Sequence, residues 1–218
     1  IGIRYALDHH ADFFFLLNQD AWVEATTIEQ LITTFHENES VGIAAPMQLN
    51  GGYNNLDIRF NESLPRQLTS DLFLKKKKKY YDTDDVNAAA WMLSRNTIET
   101  IGGFDTFLFT HYGEDNNYCQ RVLYHKKRIV INTSTTICHD RAHRDPDNDP
   151  NRKYWKKTIK NEEIAEQWSN INKLYNFKKI KFGLSTKILI NLITFQFNQV
   201  KKLYSEKLLD QEFLTCTD

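Results

Sequence analysis

Two adjacent carboxylates, Glu114 and Asp115, stand directly behind Gly113, where a segment begins whose apolar residues Tyr118, Cys119, Val122 and Leu123 recur with helical spacing. Carboxylates in a first helical turn face unpaired backbone N–H groups. That placement alone stabilises a helix by roughly 0.3–1 kcal/mol. The same pair is also suited to general-base chemistry. The turn Gly102-Gly103-Phe104-Asp105 upstream, and His139 downstream behind a short strand, make the group look like a site rather than a surface. Asp20 is a separate candidate. It closes an apolar run through Asn18 and Gln19, and in open α/β sheets the region beyond a strand's carboxyl end is where cations and phosphates bind. Each residue has a plainer alternative: a polar turn for Asp20, and a hydrogen-bonded structural histidine for His139, with His111, His125 and His143 as rivals. Asp105 is assigned to its turn.

Several elements must position these groups. Ile3, Ala6, Leu7 and Ala11 suggest a short helix. The run Phe13 to Leu17 has no polar alternation, which predicts a strand covered on both faces, as in a mostly parallel sheet. Thr26 or Thr27 caps a helix carrying Ile28, Leu31, Ile32 and Phe35, closed by Ser40, and Val41 to Pro46 reads as a second buried strand stopped by its proline. Strand, helix, strand in that order predicts a right-handed crossover and helices on the sheet faces. Between residues 50 and 85 the signal is weaker. Gly51-Gly52 and Asn54-Asn55 mark loops, Asp57 to Phe60 suggests a short strand, and Lys75 to Lys79 reads as a solvated face, with a phosphate-rich ligand as the alternative.

Val86 to Leu93 returns to strand character, and Ala88-Ala89-Ala90 leave room for a close approach before Trp91. Ser94 caps a short helix through Ile98 and Ile101, ended by Gly102-Gly103, after which Phe104, Phe107 and Phe109 supply apolar anchors. Arg128 to Asn132 is a further strand, followed by a Ser/Thr turn and Ile137 to His139.

The overall charge of zero hides an asymmetry. Residues 1–150 hold 15 Lys/Arg against 21 Asp/Glu, whereas residues 151–209 hold 13 against 4, so an acidic part suited to a metal precedes a basic part suited to an anionic surface. Composition is that of a soluble globular protein, which removes fibrous and disordered classes. Three cysteines, Cys119, Cys138 and Cys216, without CxxC spacing fit a reduced, cytoplasmic setting. The proline and aspartate loop from Asp145 to Pro150 divides a domain of residues 1–148 from a helical extension of residues 149–218. Its last helix is too short and too often interrupted to span a bilayer. Packing against protein is the expectation for residues 178–207, with peripheral contact at the inner face of an anionic membrane as the alternative.

In this order the pieces resemble the family 2 glycosyltransferases of the GT-A fold, with the nearest look to bacterial rhamnosyltransferase-like members that build surface polysaccharides. The motifs are Leu17-Asn18-Gln19-Asp20, Val41 to Pro46, Met92-Leu93-Ser94-Arg95, Ile101 to Asp105, Gly113 to Arg121 and His139, and the resemblance covers about Gly2 to Asp140. It implies an α/β, Rossmann-like, mostly parallel mixed sheet flanked by helices. It also implies an inverting transferase that uses Mg²⁺ or Mn²⁺ to move a sugar from a nucleotide-diphosphate donor to a glycan or lipid-linked acceptor, with no nucleic acid partner. On this resemblance Asp115, with Glu114, is the catalytic base, Asp20 and His139 are metal ligands, and Asn18, Trp91 and Gly103 lie on the donor and acceptor side. The departures are Asn117, where the family often has an acid, the triplet Asn-Gln-Asp in place of Asp-x-Asp, and the family's first nucleotide-binding strands, which do not appear before Ile1. Those missing strands motivate the alternative of a non-catalytic remnant acting as an interaction or glycan-binding module.

Overall fold

The computed structural model describes residues 1–106, 109, 113–141 and 169–172. Its elements are α1 (Gly2–Asp8), β1 (Phe13–Leu17), β2 (Ala21–Val23), α2 (Thr27–Glu37), β3 (Val41–Asn50), α3 (Ile58–Glu62), α4 (Arg66–Phe73), β4 (Tyr80–Thr83), β5 (Ala90–Ser94), α5 (Arg95–Ile101), α6 (Glu114–Tyr124) and β6 (Arg128–His139). The expectations for Phe107, His111, His143, the boundary near residue 148 and the helices beyond it lie outside the described residues. No described helix is long and apolar enough to cross a membrane.

The strands form one sheet in the order β1-β5-β3-β6-β2, with β4 beside the first half of β6. Side chains alternate across it, so each strand feeds two apolar layers. Phe14, Ile43, Trp91, Leu93, Ile129 and Ile131 point to a core closed by Ile98, Ile101, Tyr118 and Val122. Phe13, Phe15, Ala44, Met92 and Val130 face the opposite side, under Leu31 and Phe35 of α2. The unbroken apolar run of β1 thus reports burial on both faces, as read from the sequence.

The sheet is mixed, not mostly parallel. Among the described residues only β3 and β6 pair in parallel; β5 enters between β1 and β3 antiparallel to both, and β2 and β4 are antiparallel to β6. Two-sided burial carries no information about strand direction, which is why the apolar runs misled on this point. Pro46 does not end its strand either: β3 continues to Asn50 because the proline sits at a register shift against β6, where its missing N–H breaks no regular pairing. The Ser/Thr stretch is likewise no turn, and β6 runs unbroken through Thr133, Thr135 and Thr136, whose branched side chains suit a strand.

Smaller corrections follow from hydrogen bonding. Asp57 to Phe60 is not a strand; Asp57 caps α3, its Oδ1 accepting from the Phe60 N–H at 3.0 Å. The strand expected from Val86 begins only at Ala90. Thr26 occupies the cap position of α2 without a side-chain bond, and Thr27 Oγ1 instead meets Thr135 Oγ1 at 2.9 Å, tying α2 to β6. Ser94 caps α5 as expected, with Thr97 N–H donating to its Oγ at 3.2 Å. Of the two glycines after α5, Gly102 alone needs its freedom, at φ +84°, and a Cβ on Gly103 would meet open space.

Gly42 lets α6 approach the sheet: a Cβ there would stand 2.7 Å from Val122 Cγ1 and 3.0 Å from Lys127 Cβ. Gly42→Ala is expected to lower unfolding stability by about 1–3 kcal/mol through overpacking. Urea denaturation measures it, and an unchanged midpoint would contradict this packing.

Candidate functional site

The site lies where the carboxyl ends of β1, β3 and β6 meet the start of β5. Its position follows from pairing. Ala21 of β2 lies opposite His139 of β6, the Asp140 N–H donates to the Asp20 carbonyl at 2.9 Å, and Asn50 at the end of β3 lies opposite His139 from the other side. The Asn18 N–H donates to the Ala89 carbonyl at 2.9 Å, which fixes the Asn18-Gln19-Asp20 turn against the strand that precedes Trp91.

These constraints bring Asp20 and His139 together, with Asp20 Oδ1 3.2 Å from His139 Nε2. The opposite ring nitrogen, Nδ1, faces Asp57 Oδ2 at 3.5 Å, and the same oxygen accepts from Arg141 Nε at 2.6 Å. Asp57 and His139 are each 1% exposed, while the side chains of Asp20 and Arg141 are 22% and 26% exposed. The line of groups therefore opens to solvent at both ends, through Asp20 and through Arg141. Each ring nitrogen of His139 thus faces a carboxylate oxygen, Asp20 at Nε2 and Asp57 at Nδ1. Arg141 offsets the cost of burying Asp57.

Asp57 is the functional candidate that sequence reasoning missed. The Asp57 N–H donates to the Gln48 carbonyl at 2.9 Å, and the loop before it is folded around Asn50, whose side chain accepts from the N–H groups of Asn54 and Asn55. The signal available was an aspartate followed three residues later by a hydrophobic helical residue, which is a helix-start pattern.

Asp20 Oδ1 and His139 Nε2 are spaced as two neighbouring ligands of one octahedral ion would be, about 3 Å apart for bonds near 2.1 Å. Among the described residues no group of three or more His, Cys, Asp or Glu side chains is arranged to hold a metal. An ion held by this pair alone would have to take its remaining ligands from water and a bound phosphate, a habit of Mg²⁺.

Glu114 and Asp115 occupy a different element. Both are half-buried in the first turn of α6, behind Gly113 at φ +84°, and Asp115 Oδ1 accepts from the Asn116 N–H at 2.8 Å. Their helix is clamped to the turn upstream: Tyr118 OH donates to the Gly102 carbonyl at 3.2 Å, and Arg121 donates to the carbonyls of Gly103, at 2.7 Å, and Ile101. Burial pushes the Tyr118 hydroxyl up to about 12, so it stays a neutral donor. Trp91 is fully buried, its ring 6.2 Å from Phe104 and 6.0 Å from Tyr118, and it serves as the floor on which the Gly-Gly-Phe-Asp turn and α6 rest. The Gly103 backbone is exposed.

Buried polar groups gather at the same end of the sheet. Gln48 Nε2 donates to the Asn87 carbonyl at 3.3 Å, whereas Gln48 Oε1 and the side-chain amide of Asn87 have no hydrogen-bond partner among the described residues. Both cysteines there are inert. Burial raises the thiol of Cys119 well above its usual range and that of Cys138 to a lesser degree, and each donates to a backbone carbonyl.

Asp57→Ala is expected to cost about 1–3 kcal/mol, since it uncaps α3 and leaves Arg141 and His139 without their shared carboxylate. Asp57→Asn, which keeps an oxygen for the Phe60 N–H, is expected to cost less. Thermal unfolding of the two variants checks the order, and equal losses would mean that the charge on Asp57 contributes everything.

No family model matches this chain, and no curated protein matches it. Among solved structures it is similar to GalNAc-T7 with UDP, GalNAc and Mn²⁺, at 13% identity and a TM-score of 0.47, over 64% of this chain and 29% of that one. It is also similar to A197 from STIV, at 12% identity and a TM-score of 0.40, over 62% of this chain and 61% of that one. The matches span less than two thirds of either protein's length, and likenesses of this size carry no weight for function.

Proposed function

We propose that this chain belongs to an inverting, metal-assisted glycosyltransferase that moves a sugar from a nucleotide diphosphate to a hydroxyl of a glycan or lipid-linked acceptor. The observation that carries the reading is the 3.2 Å approach of Asp20 and His139. These residues come from opposite ends of the sequence motif set and are brought to one sheet edge by β2 and β6. The motif resemblance of residues 2–140 supports the same reading, which extends to family 2 and to hexosyl or rhamnosyl transfer.

Each residue then has a task. Asp20 and His139 would hold Mg²⁺ or Mn²⁺, which would supply positive charge to a departing diphosphate. Asp57 faces Nδ1 and keeps the imidazole oriented. Asp115, with Glu114 beside it, accepts the proton of the acceptor hydroxyl as its oxygen attacks the anomeric carbon. The new C–O bond forms on the face opposite the breaking bond to phosphate, so the configuration inverts and the diphosphate leaves with the electron pair. Asn18, at the turn beside Ala89, and the Gly103 backbone are assigned to holding donor and acceptor.

The test is release of nucleoside diphosphate from a panel of UDP-, GDP- and dTDP-sugars in the presence of Mn²⁺ and a polysaccharide acceptor. The account expects release that falls by at least about 100-fold in Asp115→Asn while the fold is kept. Full activity in Asp115→Asn would overturn the base assignment. No release from any donor would favour a non-catalytic glycan-binding module.

A further inference from the structure

The last residue of α4 and the one after it are Phe73, 87% exposed, and Leu74, 55% exposed, and Lys75 to Lys79 follow without interruption, all exposed. Soluble surfaces carry single exposed apolar residues without consequence, but an adjacent apolar pair leading into five lysines is a distinct combination. Backbone hydrogen bonds close the turn here. The N–H groups of Leu74, Lys75 and Lys76 donate to the carbonyls of Ser70, Leu72 and Asp71, at 2.9, 3.2 and 2.8 Å, and Lys75 adopts φ +55° to turn the chain. The Lys78 N–H donates to Tyr81 OH at 2.7 Å, and Tyr81 OH in turn donates to the buried Asp71 at 2.9 Å.

Two of the lysines are engaged: Lys77 Nζ donates to the Thr133 carbonyl at 3.0 Å, and Lys79 pairs with Glu37 at 2.6 Å. Lys75, Lys76 and Lys78 remain as cations beside Phe73 and Leu74, and residues 72–81 contain no carboxylate to neutralise them. An apolar tip ringed by cations matches the chemistry of an anionic bilayer, with acyl chains for Phe73 and Leu74 and headgroup phosphates for the lysines. A polynucleotide would meet the lysines and could stack a base on Phe73, whereas acyl chains take up Phe73 and Leu74 together.

We propose that the tip from Phe73 to Lys79 is a docking contact for an anionic membrane surface. It uses none of Asp20, His139, Glu114 or Asp115, meets the sheet at Thr133 in the middle of β6, and does not depend on the glycosyltransferase reading. Binding is therefore expected to need both parts of the tip, and to weaken as salt screens the lysines.

The test is flotation of the full chain with vesicles of phosphatidylcholine alone or with about 30% phosphatidylserine, an anionic load chosen to match a cytoplasmic leaflet. The chain is expected to float with the anionic vesicles only. The triple variant Lys75→Glu, Lys76→Glu, Lys78→Glu and the double variant Phe73→Ser, Leu74→Ser are each expected to weaken binding more than about tenfold. All five side chains are exposed, so circular dichroism should be unchanged. A parent chain that stays unbound overturns the proposal, as do variants that float like the parent, which would move the contact to another segment. Competition by single-stranded oligonucleotide, with the Phe73 and Leu74 variant binding normally, would also overturn it in favour of nucleic acid.

Discussion

The candidate site depends on one constraint, the burial of an imidazole between two carboxylates at the end of β6. His139 is 1% exposed, Asp57 equally so, and a buried carboxylate without compensation would be strongly destabilising. Arg141, two residues beyond His139, supplies the compensating charge at 2.6 Å, and the Phe60 N–H satisfies the remaining oxygen. With Asp57 fixed, the ring of His139 lies with Nδ1 toward Asp57 and Nε2 toward Asp20. The rest of the described fold can be understood as what keeps those four residues in register.

That register comes from β6. Its first half lies between β3 and β4 and its second half between β3 and β2, so both ends are held laterally. It is also anchored to α2, through Asn132 Nδ2, which donates to the Gln30 carbonyl at 2.9 Å and to Thr34 Oγ1 at 3.0 Å, and through the Thr27–Thr135 bond. These buried polar contacts favour one register among several that an apolar strand would accept, since a slip would leave each of them unsatisfied. On the other face, Tyr118 and Arg121 hold the glycine turn against α6, and so fix where Glu114 and Asp115 begin.

Much of this was legible in the residues. The apolar runs of β1 and β3, the Ser94 cap, the positive φ at Gly102 and the start of α6 at Glu114 all follow from local pattern and steric demand. Strand direction was not legible, because β5 is buried on both faces whether it runs with its neighbours or against them. Pro46 and the Ser/Thr stretch of β6 misled for a related reason: a proline at a register shift and threonines in a central strand look locally like breaks. In the site, Asp20 and His139 could be singled out by type and position at strand ends, but Asp57 could not, since its role exists only through a contact with a residue 82 positions away in the chain.

The central claim is that Asp20 and His139 act together on one divalent ion. Its most direct test is a crystal of the protein soaked with Mn²⁺ and a nucleoside diphosphate, with the manganese located by anomalous scattering. The account predicts a single peak bonded at about 2.0–2.3 Å to Asp20 and to His139 Nε2, with the diphosphate completing its coordination. Manganese bound by the diphosphate alone, or with His139 still turned onto Asp20 and away from the ion, would contradict it.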